Sequence, residues 1–203
     1  MILIGQYDSP FVRRVGIALT LYGLSFEHRP WSVFGNAAEI RAYNPLVRVP
    51  TLVLGHGEVL IESHSILDYL DTLAPEGQAL FPRSEPARHE ALKIAALATG
   101  LSEKAVSLFY EQRLHREVSE VWVNRCRSQI ADTLGALEAL WADQSTRKID
   151  HAGIAIAVML RFLAEAHPGL VAIAGYPNLA RHAARMEALP AFQAIQQPFI
   201  APA

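Results

Sequence analysis

A single cysteine, Cys126, stands among the 203 residues, which excludes an intrachain disulfide and a Cys-x-x-Cys redox pair. It falls in "VWVNRCRSQIADTL", a helical pattern in which a structural thiol is expected rather than a nucleophile. Excess charge of either sign is also missing. With 18 Lys+Arg against 20 Asp+Glu the formal net charge is -2, and no basic block breaks the even spread, so the footprint of a phosphate-backbone binder is absent. Nucleic acid is not an expected partner. Long hydrophobic runs are scarce as well. "MILIGQYDSP" has no basic flank and is interrupted by Asp8 and Pro10 before it could act as a signal segment. The later run "IAIAVML" stops at Arg161, far short of a bilayer span. The expectation is a cytoplasmic protein with no membrane segment. The histidines, at positions 28, 56, 64, 89, 115, 151, 167 and 182, never pair at helical ligand spacing, so no metal is expected.

What the chain does have is apolar material. A hydrophobic content of 51% over this length is enough for one large core or two small ones. "MILIGQY" reads as a buried strand, and Val12, Val15, Leu19 and Tyr22 then recur at helical spacing until Gly23 closes the helix. "FEHRPW" is a second, weaker strand, and "AAEIRAY" a short helix. "PTLVL" and "EVLI", separated by "GHG", form a hairpin pattern, and Ser63 opens the helix "SHSILDYLDTL". The order is β-α-β-α-β-β-α. "APEGQALFPRSEP" carries three prolines and ends the periodicity. Domains are therefore expected at 1–76 and 86–203, with 77–85 as linker. Beyond the linker the pattern predicts helices over about 87–114, 117–142, 154–167 and 178–187. The fold class is a small α/β domain followed by an all-α domain.

With "SPFVRRV", "NPLVRVPTLV" and "ESHSILDYL" at these places, the chain resembles the cytosolic glutathione transferase family along its whole length. The resemblance implies a thioredoxin-like N-terminal domain followed by a helical-bundle C-terminal domain. "SPFVRRVGIAL" is similar to the serine-type branches, including many bacterial members and the plant tau class. It implies glutathione as co-substrate and Ser9 as the group that hydrogen-bonds its thiolate, at a helix start whose unpaired N–H groups favour negative charge. The same serine would cap the helix, with Pro10 in its first position. Tyr7 is the alternative donor, because other branches use a tyrosine at the end of the first strand. Arg13 reads either as added positive potential near the sulfur or as a solvated arginine.

The resemblance extends to a glutathione-binding set of Ser9, Phe11, Arg48, Val49, Pro50, Glu62 and Ser63. It makes the Val49-Pro50 bond cis, with Val49 pairing to the cysteinyl backbone and Arg48 meeting the glycyl carboxylate. Glu62 faces the γ-glutamyl ammonium and Ser63 its carboxylate; taken alone, Ser63 would be an ordinary N-cap. A small electrophile is expected against Trp31 and Phe34 from the loop after the second strand and Phe109, Tyr110 and Arg113 from the first long helix. One departure from the family pattern lies in the second domain. The capping box there has Asp150 but glycine at 153, so Gly153→Asp is expected to stabilise the fold. The leading function is glutathione S-transfer by a homodimer. The alternatives are glutathione-dependent isomerisation of an unsaturated acid, against which "DSPF" in place of an "SSC" motif argues, and a non-catalytic glutathione-binding scaffold.

Overall fold

Alternating apolar stretches and turn residues lay down the first part of the chain as the sequence predicts. The computed structural model describes residues 1–75, 77–142 and 148–201; the boundary residue 76 and the chain end at 203 lie outside the described residues. After strand β1 (Ile2–Ile4), helix α1 spans Pro10–Leu21. The Ser9 hydroxyl accepts from the Val12 N–H at 3.4 Å, and proline takes the first turn, where no N–H is required. Gly23, at φ +66, turns the chain away from the helix end. Strand β2 (Glu27–Arg29), helix α2 (Ala37–Arg41), strands β3 (Thr51–Val53) and β4 (Val59–Ile61) and helix α3 (Ser63–Leu73) follow. The sheet order is β2-β1-β3-β4, with β1 parallel to β2 and antiparallel to β3. This is the thioredoxin-like arrangement. Ile4, Ile40 and Val53 form one core cluster, against which Trp31, Tyr43 and Val49 pack.

The proline-rich stretch after α3 is organised by a single carboxylate. Asp71 is buried and accepts from the Tyr22 hydroxyl and from the N–H groups of Leu80 (3.2 Å) and Phe81 (2.9 Å). Burial, reinforced by Asp71, raises the pKa of Tyr22 and keeps its phenol a donor. Removing that carboxylate would take an acceptor from each of these donors, although the Leu80 N–H would keep the Tyr22 hydroxyl oxygen at 3.0 Å.

The remaining elements are helical. Helix α4 spans Ala87–Leu114, as expected. Helix α5 (Glu120–Leu140) starts later than its periodicity predicts, because Ser119 caps it and gives its own N–H to Glu111 at 2.7 Å. Helix α6 (His151–Ala166) starts earlier, because Asp150 accepts the Gly153 N–H at 2.8 Å. It is apolar on nearly every side and correspondingly buried. Helices α7 (Pro177–Glu187) and α8 (Pro190–Ala194) complete the chain. The chain divides into two compact units, Met1–Arg83 together with Leu189–Ala203, and Ser84–Ala188. The last segment thus groups with the first unit.

The surroundings of Gly153 argue against the expected benefit of an aspartate there. A Cβ on Gly153 would lie 3.0 Å from Cε1 and 3.1 Å from Nε2 of His182. That ring cannot withdraw easily: it is buried, Nε2 donates to the Gly153 carbonyl at 2.9 Å, and Trp141 meets it edge-on with centroids 4.6 Å apart. The place of the missing capping-box carboxylate is filled by an imidazole.

Candidate functional site

Among the described residues, the start of α1 leaves a small set of donors without a partner. Pro10 has no N–H, the Val12 N–H is capped by Ser9, and the Arg13 N–H closes on the Ser9 carbonyl at 2.9 Å. Phe11 N–H is therefore left without a hydrogen-bond partner among the described residues. Beside it sits the partly exposed Ser9, whose oxygen accepts, among the described residues, a long bond from Val12 and whose proton can be given to a ligand. A helix N-terminus of this kind favours an anion.

Tyr7, the alternative donor, is packed differently. It is 9% exposed and stacks on His28 with ring centroids 3.8 Å apart and planes 7° from parallel. Its Cε1 lies 3.1 Å from where a Cβ of Gly16 would stand, about two turns along α1 from Ser9, or roughly 10 Å. Burial pushes the Tyr7 phenol up to about 12. Burial likewise lowers the pKa of His28, against a smaller opposite push from the Gly5 carbonyl that its Nε2 contacts at 2.8 Å.

Arg13 follows neither of its sequence readings. It is 2% exposed, and its guanidinium donates to the carbonyls of Ile195 (2.8 Å) and Phe192 (3.2 Å) while lying 5.5 Å over the Phe192 ring. It is an anchor for the C-terminal segment.

Three contacts bring the sequence motifs together. Gly5, at φ +129, closes β1 where a Cβ would meet Val12 Cγ2 at 2.5 Å and Val49 Cβ at 2.8 Å, so only glycine lets the α1 start and the Val49 loop approach. The Val49-Pro50 bond is cis. Among the described residues neither the N–H nor the C=O of Val49 has a hydrogen-bond partner. Arg48 and Glu62 then link the second and third motifs through an exposed ion pair of 3.0 Å. Glu62 is held at φ +67, a conformation that costs a non-glycine residue about 1–3 kcal/mol and tends to occur at functional sites.

The third contact was not foreseen. Arg14 is completely buried, and its Nη1 donates to the Ser63 hydroxyl at 3.4 Å while Nε and Nη2 find no partner among the described residues. Burial pulls its pKa down to about 9, so it stays charged at neutral pH. Ser63 is itself buried and is the first residue of α3, with Glu62 in the cap position, so it is not the N-cap. A buried cation behind a helix start adds to the field that favours an anion there. The sequence signal was the adjacent pair Arg13-Arg14 on an otherwise buried helix, which demands a partner for each.

The residues expected to meet the electrophile fall in both units. In the first, Trp31 is half-buried against the core cluster with Arg29 5.4 Å over its ring, whereas Phe34 is 46% exposed. In the second, Phe109 is half-buried, edge-on to His167 at 6.1 Å and to Tyr110 at 6.3 Å, and Arg113 is exposed. Among the described residues no group of three or more His, Cys, Asp or Glu could hold a metal ion, and no helix is long and apolar enough to cross a membrane.

Comparison with known proteins agrees with this geometry. The family model for the glutathione S-transferase N-terminal domain matches residues 3–78, and that for the glutathione S-transferase C-terminal domain matches residues 120–185. The uncharacterised GST-like protein YibF of Escherichia coli is 34% identical over 80% of this chain and 82% of its own. Maleylacetoacetate isomerase of Pseudomonas aeruginosa is 29% identical over 95% of this chain and 94% of its own. A glutathione transferase family member from Pseudomonas fluorescens Pf-5, solved with bound glutathione, superposes with a TM-score of 0.88 at 32% identity, covering 98% of this chain and 99% of that one.

Proposed function

This chain belongs to the glutathione S-transferase family, and on that premise we propose that it is a glutathione S-transferase in which Ser9 stabilises the thiolate of bound glutathione for attack on a small electrophilic carbon. The observation that carries the reading is the meeting of three motifs around unused donors at the start of α1. The Ser9 hydroxyl and the Phe11 N–H serve the sulfur. The free N–H and C=O of Val49 pair with the cysteinyl backbone in antiparallel fashion beside Pro50. Ser63, backed by the buried Arg14, receives the γ-glutamyl carboxylate, and Glu62 its ammonium. Arg48 is within reach of the glycyl carboxylate but shares its charge with Glu62. The packing of Tyr7 into the core two turns along α1 supports Ser9 over Tyr7 as the donor.

In this reading residues 1–76, joined by the last segment, bind glutathione. Residues 77–85 connect them to the helical domain; the candidates for meeting the electrophile are Trp31 and Phe34 in the first domain and Phe109, Tyr110 and Arg113 in the second. The protein acts as a cytoplasmic homodimer, by analogy with its family.

Glutathione-dependent isomerisation is the second reading. It is favoured by the full-length similarity to the Pseudomonas aeruginosa isomerase, and disfavoured by Asp8-Ser9-Pro10-Phe11 in place of "SSC". The test is calorimetry with glutathione, followed by an aryl halide, a peroxide and a maleyl acid assayed with wild type and Ser9→Ala. Turnover of the aryl halide that drops in the variant supports transfer. Selective turnover of the maleyl acid supports isomerisation, and no glutathione binding at millimolar ligand would leave a scaffold.

A further inference from the structure

The segment after α7 makes more contact with the Ser9 loop than a loose terminus would. Gln197 Oε1 accepts the N–H of Tyr7 at 2.9 Å, and Asp8 Oδ2 accepts the N–H of Ile200 at 3.0 Å. These two bonds fall on the two residues immediately before Ser9. On its far side Arg13 clasps the Ile195 and Phe192 carbonyls at 2.8 and 3.2 Å. Ile195 also fills the notch that Gly16 leaves in α1: a Cβ there would stand 2.8 Å from Ile195 Cγ2. The backbone carrying Ser9 is thus tied to residues separated from it by nearly the whole chain. The cap bond that the Ser9 hydroxyl accepts from the Val12 N–H is long at 3.4 Å and leaves the hydroxyl direction weakly set from within the loop itself.

We propose that residues 189–200 form a strap that positions the Ser9 hydroxyl, with Gln197 and Asp8 as its positioning residues. The inference rests on the reading of Ser9 as the thiolate donor. A hydrogen bond to a developing charge loses strength quickly when its angle or length drifts. Fixing the backbone at Tyr7 and Asp8 therefore acts on the acidity of the bound thiol without touching glutathione. Because Gln197 reaches only a backbone N–H, its removal should leave glutathione affinity nearly unchanged.

The test uses the full chain, with Gln197→Met, Asp8→Ala and the conservative Asp8→Asn, which keeps an accepting oxygen. The bound thiol is titrated by its thiolate absorbance, and glutathione Kd and Tm are measured in parallel. Gln197→Met and Asp8→Ala are expected to lower the thiolate fraction and kcat/KM at neutral pH about three- to tenfold, with the loss recovered at alkaline pH and Kd held within about twofold. Asp8→Asn should restore most of the wild-type titration. A thiol titration unchanged in Gln197→Met and Asp8→Ala, with only Tm lowered, would overturn the strap as a positioning device. Ser9→Ala separates the two levels of argument. If it raises the thiol pKa while the strap variants do not, only the strap fails; if it leaves the pKa untouched, the Ser9 reading fails and the strap with it.

Discussion

Replacing Ser9 by alanine removes one hydroxyl with two duties, and the structure lets them be separated. As a cap, Ser9 accepts a single 3.4 Å bond from Val12, so its loss should cost about 1 kcal/mol of stability and lower Tm by about 2–4 °C. As a donor to a thiolate, it supplies a charge-assisted hydrogen bond of roughly 1.5–3 kcal/mol, equivalent to about one to two pKa units. The helix N-terminus and Phe11 N–H survive the change and retain about 0.3–1 kcal/mol of the effect. A thiol bound near pH ~7 should then titrate near its free value of ~8.5, cutting the ionised fraction at neutral pH by about tenfold. The sign fixes the profile: kcat/KM falls below the new pKa and converges on wild type as pH rises past it. Ser9→Gly is the control, since glycine keeps most of the cap but has no hydroxyl. It should match alanine in activity and wild type in Tm. An equal loss at every pH, or no loss at all, would refute the assignment.

Tyr7→Phe should leave turnover within about twofold of wild type, because the His28 stack depends on the ring and not on the phenol; a dead Tyr7→Phe beside an active Ser9→Ala would reverse the roles. Gly153→Asp should destabilise by about 1–3 kcal/mol, read as a lower denaturation midpoint at unchanged m-value, because the new Cβ crowds a ring held on two sides. Arg48→Ala should weaken glutathione binding by calorimetry while moving stability by less than about 1 kcal/mol, since its pair with Glu62 is exposed; an equal effect in the presence and absence of Glu62 would show that the two act independently.

The fold was legible where local chemistry and tertiary need agree. The order of elements along the chain, the start of α1 at Ser9-Pro10 and the length of α4 all follow from period, caps and breakers, which act within a few residues. Misses occurred where a distant partner decided the outcome. The start of α5 depends on Glu111, and Gly153 depends on His182, from another helix. Helix α8 is only Pro190–Ala194, too short for a periodic signal, and its attachment to the first unit is set by Arg13 across most of the sequence. No window of local pattern contains that pairing.

The two adjacent arginines show why the site was only half readable. A pattern places both on α1 but cannot say which carbonyls or hydroxyls lie opposite, and the structure sends them to different tasks: Arg13 to the returning C-terminal segment, Arg14 to Ser63. Arg14 is completely buried and meets a hydroxyl there, so its field reaches its surroundings with little screening. At the start of α3 that field favours an anion, and on the proposed reading that anion is the γ-glutamyl carboxylate of glutathione. On the proposed reading, then, the scaffold supplies the buried cation and the aimed hydroxyls, and the reactive sulfur arrives with glutathione.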